Sequence, residues 1–528
     1  MKVLLIQPPI EDFYCTSIRL YPLGLCSIAA AISDLCEVAI LDAAEHHKPR
    51  KLSEHPFPEL KNFYQPHLRS PLSLFSKYYR FGLTDEQIKK AIAEYRPTVV
   101  GISALFSAYM ALSIHMAELV KKVNADIVTI VGGLHPTLSP ESVLASPDVD
   151  YVIRGEGETP MATFIENLAS SKKMILSDIP GLCYQENGNN KINPPSVETD
   201  INRLPSHRLL PPKSYLMYGK SYSFFLASRG CPYRCQFCGK APFPYRQRTL
   251  GSIEEELHVH AQRGIEVLDF EDDMLTFDVR FFHDILAMLK KFEFNICAMN
   301  GLSPSHLNAQ NLKLMLEAGF HKINVSVVEL SSSILKSQSR CHYGSFFELL
   351  PCLEHESVTV EVHFIIGLPR QSVDHILDLI LFLAQKKVLL GPSMFYPVPG
   401  SALWSDNEVP FKYCRSSIMY PAYFSRLTII TFMRLIRFIN FCKNLVDKLH
   451  QNLLLSELLG SAHLFMTPEI YHIITHLCKQ KRFLVWDKKD QDFREESCVL
   501  EIMDRFFQML KHKVIRGYKT NHQLKVDL

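Results

Sequence analysis

Cys231, Cys235 and Cys238 lie in the stretch Ser228-Arg-Gly-Cys-Pro-Tyr-Arg-Cys-Gln-Phe-Cys-Gly-Lys240, a Cys-x3-Cys-x2-Cys array. Cysteine thiolates are the usual ligands of iron-sulfur clusters, and three of them on a four-iron cluster leave one iron open to another ligand. Zinc is the rival occupant, but a closed tetrahedral site needs a fourth Cys or His, and none follows at short spacing. The plain alternative is three buried thiols adjacent by accident, which is rare at this cysteine content. The spacing favours a cluster.

Such a loop needs a rigid support. From Tyr222 strand and helix alternate: Tyr222 to Ser228 delivers the cysteines, Ile253 to Gln262 and Val279 to Lys290 are helical, and strands are expected at Ile265 to Glu271, Asn295 to Met299, Lys322 to Val328, Val358 to Ile366 and Ser393 to Pro397. Six units of this kind suit a partial (β/α)6 barrel with its active groups at the strand carboxyl ends. Phe270-Glu-Asp-Asp273, Glu329, Ile366-Gly-Leu-Pro369 and Tyr396-Pro-Val-Pro-Gly400 fall at those ends.

The N-terminal region alternates too. Strands are expected at Lys2 to Gln7, Glu37 to Asp42, Thr98 to Ser103, Asp126 to Val131 and Val149 to Arg154, with a helix over Pro22 to Ser33 and another opened by the capping box Thr84-Asp-Glu-Gln87. Ser139-Pro140 marks a further helix start. This is the pattern of a five-stranded, doubly wound, Rossmann-like domain, in which ligands sit beyond the carboxyl ends of the strands. The loops there run from Gln7-Pro-Pro9 to Gly24, over Ser103 to Phe106, through Gly132-Gly-Leu-His-Pro-Thr137 and through Gly155-Glu-Gly-Glu158. Each glycine pair alone reads as a turn; paired at strand ends they let backbone approach a ligand closely.

The cysteine array, with Phe237 just before its last Cys, resembles the signature of radical S-adenosylmethionine (radical SAM) enzymes. The upstream Pro22-Leu23-Gly24, Gly132-Gly133-x-His135-Pro-Thr and Gly155-Glu156-Gly-Glu elements resemble the cobalamin-binding domain fused to many of them. The resemblance covers about the first four hundred residues. It implies a 4Fe-4S cluster on the three cysteines, S-adenosylmethionine chelated by the open iron, and cobalamin against Leu23, Gly24, Ser103, Gly132, Gly133 and Glu156. Asp272 and Asp273 would lie near the amino group of S-adenosylmethionine, Glu329 near its ribose, and Ile366, Gly367 and Pro369 beside adenine. Solvated loops are the plainer reading of these carboxylates. His135 is expected either to line the cobalamin nucleotide tail or to close a turn. Arg246 and Arg248 resemble an arginine pair of the fused family that meets the cluster, the corrinoid tail or an acid; capping the next helix is the alternative.

Two departures bear on these expectations. The Asp-x-His-x-x-Gly motif, whose His replaces the lower axial base of cobalamin in methionine synthases and mutases, is missing, since no His occurs between Met1 and Asp42. The lower cobalt face is therefore expected to meet water, a side chain other than His, or nothing. Where the family often has Gly-x-x-Glu-Ser-Gly, this chain has Ser326-Val-Val-Glu-Leu-Ser331, without either glycine.

Composition excludes several classes. A chain of 528 residues with 47% hydrophobic content is globular and multidomain, and a net charge of +2 leaves no basic footprint for nucleic acid. Fourteen cysteines, three of them closely spaced, fit a reducing compartment. The apolar start is too short for a signal peptide, so a cytoplasmic protein is expected. Thr98 to Ala117 lacks Asp, Glu, Lys and Arg, but its Gly101, Ser103, Ser107 and His115 divide it into a buried strand and a helix rather than a membrane span. Residues 165–220 read as a connector with an Asn187-Gly188 hairpin turn, and residues 401–528 as a mostly helical region. In the latter, Arg434 and Arg437 share one helix face. The expected domains are thus 1–164, 165–220, 221–400 and 401–528.

The resemblance implies a cobalamin-dependent methyltransferase for an unactivated carbon. One S-adenosylmethionine methylates reduced cobalamin, a second is cleaved at the cluster, and its adenosyl radical removes a substrate hydrogen so that the carbon radical collects the methyl group. The partners it implies are a small-molecule, lipid or peptide substrate and an electron donor such as flavodoxin or ferredoxin, with no nucleic acid and no transmembrane segment. The alternatives are a cobalamin-dependent cyclase or rearranging enzyme and a non-catalytic corrinoid or iron-sulfur sensor.

Overall fold

The computed structural model describes residues 1–14, 20–45, 49–170, 174–241, 243–354, 356–404 and 409–520. They form two compact units. The first comprises Met1–Leu52, Tyr79–Asn300 and Pro397–Cys414, and the second Ser53–Tyr78, Gly301–Tyr396 and Arg415–Leu528.

The first unit opens on the strand β1 (Lys2–Gln7), helix α1 (Leu23–Ile32), β2 (Glu37–Asp42), α2 (Asp85–Tyr95), β3 (Val99–Ser103), α3 (Met110–Val123), β4 (Val128–Gly132), β5 (Tyr151–Ile153) and α4 (Glu158–Ala169). The run Val3-Leu4-Leu5-Ile6 is buried throughout because β1 is covered on both faces. Leu4 and Ile6 point into a core with Ile88, Ile92, Met116 and Val120 of α2 and α3, while Val3 and Leu5 point into another with Leu25, Ile32, Phe164 and Ile165 of α1 and α4. α2 begins with the expected box, Thr84 Oγ1 accepting from Gln87 N and Gln87 Oε1 accepting from Thr84 N.

The sheet is larger than the five strands expected. The hairpin β6 (Leu182–Glu186) and β7 (Asn189–Ile192) turns at Asn187-Gly188, both in the left-handed region with φ of 52° and 76°, and adds two antiparallel strands. The strand order is β7-β6-β5-β4-β3-β1-β2. Chain direction along the sheet reverses between β1 and β3, the switch point at which such folds bind ligands.

The same unit continues with β8 (Lys220–Phe225), α5 (Leu250–Gln262), β9 (Val267–Phe270), α6 (Val279–Leu289) and β10 (Asn295–Cys297), the strands parallel and neighbouring in chain order. The second unit holds β11 (Phe320–Val328), β12 (Thr359–Ile366), α7 (Val373–Ala384) and β13 (Leu389–Met394), again parallel. These are the six strands of an α/β half-barrel, three in each unit. The last begins four residues earlier than expected, because Leu389 to Gly391 already pair with Glu361 to His363.

Helix α8 (Arg426–Leu449) covers β13, and Asn440 exchanges two hydrogen bonds with the backbone of Leu390. The C-terminal region also contains strands β14 (Phe483–Asp487) and β15 (Asp492–Glu496), with Leu68–Arg69 pairing on β14. Among the described residues no helix is long and apolar enough to cross a membrane.

Candidate active site

The cysteine loop is pinched at its base. Beyond β8, Ser228 and Arg229 pair antiparallel with Gln247 and Arg246, so the loop leaves and returns through adjacent backbone. Gly230 adopts φ +85°, and a Cβ there would lie 2.3 Å from Pro244 O, so only glycine fits the crossing. Cys238 N donates to Cys235 O at 3.1 Å, and Gly239 packs against Val398 and Pro399 of the Tyr396 to Gly400 motif.

All three cysteines and Phe237 are half-buried. Three half-exposed thiols on one pinched loop, with no fourth Cys or His at short spacing, are the donor set of a cluster with one open iron rather than of a closed zinc site. Burial pushes the Cys231 and Cys238 thiols up, with Lys240 pulling the other way. A cluster that takes them as thiolates removes that penalty. The residues present fit a cluster.

The two neighbouring aspartates diverge. Asp272, expected at the amino-group site, is fully buried and accepts from Ala227 N (3.2 Å), Ser228 N (2.6 Å) and Ser228 Oγ (2.5 Å), fixing the turn that leads into the cysteines. Burial raises its pKa to about 6, the three donors opposing. Asp273 is half-buried and forms an ion pair with Lys240, two residues past Cys238. Burial works against the Lys240 charge, but Asp273 outweighs it and raises the ammonium above its ordinary range. Sequence reasoning missed Lys240; its place two residues past the last cysteine is the signal that could have found it.

In the second unit Glu329 is also turned inward. Its Oε1 accepts from Leu330 N (2.7 Å) and Ser331 N (3.3 Å), and its Oε2 from Gln371 Nε2 (2.6 Å). Gln371 Oε1 in turn accepts from Gly367 N (2.7 Å) and Leu368 N (2.8 Å). Glu329 and Gln371 thus brace the Gly367-Leu-Pro369 loop from behind, and no sequence motif had pointed to Gln371. Where the family glycines are lost, the β11 ladder shifts register between Ser326 and Val328, and Val328 adopts φ +71°.

A cavity of about 520 Å³ lies at the carboxyl ends of β1, β3, β4 and β5. Leu23, Gly24, Ser103, Gly132, Gly133 and Glu156, all expected to touch cobalamin, line it. Bare backbone at the glycines and the apolar side chains of Leu105 and Phe106 suit a broad, flat macrocycle. His135 is not on this wall. It is fully buried between Ser107 Oγ (2.9 Å) and Ser142 Oγ (3.0 Å) and meets the Phe411 ring edge-on, so it closes the turn; burial lowers its pKa to about 4. The described residues lining the cavity include no histidine.

The opposite wall comes from the half-barrel: Phe224, Leu226, Arg229 and Glu271. Glu156 joins the two. Its carboxylate meets Arg246 at 2.7 and 3.0 Å and Arg229 at 3.3 Å, while Arg229 also reaches Glu158 at 2.7 Å. Burial opposes ionisation of Glu156, but Arg246 and Arg229 prevail and hold it below the usual range. Of the arginine pair, Arg246 therefore meets an acid, whereas Arg248 turns to α5, bonding Ser252 O and Glu256.

Comparison with known proteins agrees with this geometry. The B12 binding domain family matches residues 76–165, and the Radical SAM superfamily matches residues 225–383. The chain is a radical SAM enzyme with a B12-binding domain. This radical SAM enzyme is 28% identical over 419 residues to an uncharacterized methyltransferase of Pyrococcus horikoshii, covering 76% of this chain and 82% of that one. It is 25% identical to the cytidylyl-2-hydroxyethylphosphonate methyltransferase of Streptomyces wedmorensis, with 70% and 73% covered. In fold it is similar to the radical S-adenosylmethionine methyltransferase TsrM of Kitasatospora setae, with a TM-score of 0.58 at 15% identity over 76% of this chain and 75% of that one.

Proposed function

We propose that this radical SAM enzyme is a cobalamin-dependent methyltransferase acting on an unactivated carbon of a small-molecule, lipid or peptide substrate, reduced by a flavodoxin- or ferredoxin-type donor in the cytoplasm. One observation carries the reading: a single cavity is walled on one side by the ligand-binding strand ends of the sheet domain and on the other by Phe224, Leu226 and Arg229, which lead into the cysteine loop. A corrinoid there is brought close to the site of radical generation. The methyltransferase names of the relatives support the same reading.

When bound, the cluster supplies an electron to the sulfonium and the corrinoid supplies a methyl carrier. The chain does the rest. Cys231, Cys235 and Cys238 hold the cluster. Lys240 and Asp273 offer opposite charges to the carboxylate and ammonium of S-adenosylmethionine, exchanging their mutual ion pair for two with the ligand. Asp272 keeps the loop base in place. Leu105, Phe106 and Phe224 give the cavity an apolar lining for the corrinoid.

Anaerobic reconstitution with iron, sulfide and cobalamin, followed by turnover with methyl-deuterated S-adenosylmethionine, tests this. We expect absorbance from both cofactors and label in the product. Formation of 5'-deoxyadenosine with an altered but unlabelled product favours cyclisation or rearrangement instead. Cys235→Ala is expected to abolish both cluster absorbance and cleavage, and retained cleavage rejects the assignment.

A further inference from the structure

Behind the cavity wall made by Tyr21 and Leu226 lies a second set of convergent donors that methyl transfer does not use. His207 comes from the segment between the sheet domain and the half-barrel; Glu256 and His260 stand one turn apart on α5. All three are fully buried. Glu256 Oε1 is 2.9 Å from His207 Nε2 and 3.5 Å from His260 Nε2, one donor atom from each residue lies within 4.8 Å of the others, and the two imidazole centroids are 4.4 Å apart. Zinc bonds of about 2.0–2.1 Å at tetrahedral angles put ligand atoms about 3.4 Å apart, and the two measured separations straddle that value.

Two of the three side chains are held from outside the cluster. Tyr21 Oη meets His207 Nδ1 at 2.7 Å and fixes that ring, and Arg248 holds the far oxygen of Glu256. Outer contacts of this kind orient ligands in known sites. His260 is the exception, since Nδ1 has no hydrogen-bond partner and Nε2 has only the long 3.5 Å approach to Glu256 Oε1, although the residue is fully buried. A buried imidazole so poorly satisfied carries a desolvation cost that a bound cation would offset.

We propose that His207, Glu256 and His260 form a binding site for one divalent zinc-type cation, separate from the iron-sulfur cluster, that pins the segment before the half-barrel to helix α5. Two nitrogens and one oxygen are the donor set of such borderline ions. On binding, the His207 proton resides on Nδ1 and is donated to Tyr21 Oη, which frees Nε2 for the cation.

The test uses the full chain carrying Cys231→Ala, Cys235→Ala and Cys238→Ala, so that the cluster loop cannot hold metal, expressed with added zinc. Elemental analysis is expected to give about one zinc per chain. In the same background His260→Ala is expected to lower that content at least tenfold, and His258→Ala, on the same helix but outside the set, to leave it unchanged. Cobalt(II) added to the metal-stripped chain is expected to give the visible bands of low-coordinate nitrogen and oxygen ligation. This second readout does not depend on whether the His260 variant folds. Absence of stoichiometric zinc together with absence of the cobalt bands overturns the proposal and leaves a metal-free hydrogen-bonded network.

Discussion

Asp272 and Asp273 are adjacent in sequence and opposite in role. In the loop beyond β9 one carboxylate turns in to hold Ala227 and Ser228 and the other pairs with Lys240. Asp272→Asn keeps the shape but puts an amide N–H where a carboxylate oxygen now accepts, leaving a buried donor unpaired at a cost of about 1–3 kcal/mol. We expect this variant to bind less iron than wild type after identical reconstitution, because the loop base loosens. A variant with full iron content and weakened S-adenosylmethionine binding instead makes Asp272 a direct ligand contact. The cysteines were legible in the sequence because their spacing alone constrains chemistry. The inward turn of Asp272 and Glu329 was not, since a carboxylate at a strand end reads the same whether it meets ligand or backbone. Gln371 had no signal at all, for its role depends on a loop and a glutamate brought together only by folding.

The elements read well where local rules fix them. β1 and β2 matched residue for residue, and the capping box at Thr84 and the turn at Asn187-Gly188 each carry their own geometry. What escaped was pairing at a distance: the hairpin β6 and β7 joins the sheet edge, and β14 receives Leu68–Arg69 from far upstream. At the end of β2, Asp42 is buried and accepts from Tyr215 Oη at 2.7 Å, Ala44 N at 3.0 Å and Gln7 Nε2 at 3.1 Å, tying the sheet to the segment before β8. Burial raises its pKa to about 6, the three donors opposing. An acid with its folded pKa above the unfolded value of about 3.9 contributes most below that value and loses its contribution as pH rises through 6, here about 2–3 kcal/mol. We therefore expect Asp42→Asn to gain stability relative to wild type between pH 4.5 and 7.5, read from urea midpoints across that range. A constant difference between the two proteins refutes the assignment.

At the scale of the whole chain, the proposed reaction needs the B12-binding and radical SAM domains to act on one substrate, and within the first unit they are joined by charge. Glu156 from the sheet domain holds Arg229 and Arg246, the facing residues of the ladder at the base of the cysteine loop. The side chains are largely buried, so removing the carboxylate charge takes from Arg246 its acid and leaves Arg229 with Glu158 alone, and the loss of a buried partner costs about 3–5 kcal/mol when a pair is fully enclosed. Partial exposure here places the expected loss for Glu156→Gln nearer 2 kcal/mol, measurable by denaturant unfolding. The functional consequence is more telling. The three cysteines and the cavity glycines remain, so cluster and corrinoid are each expected to bind; what weakens is the fixed distance between them. A radical formed at the loop then finds the methyl carrier less well placed, and the ratio of 5'-deoxyadenosine to methylated product is expected to rise severalfold over wild type. An unchanged ratio alongside the lowered stability means that Glu156 fastens the fold without setting the geometry of transfer.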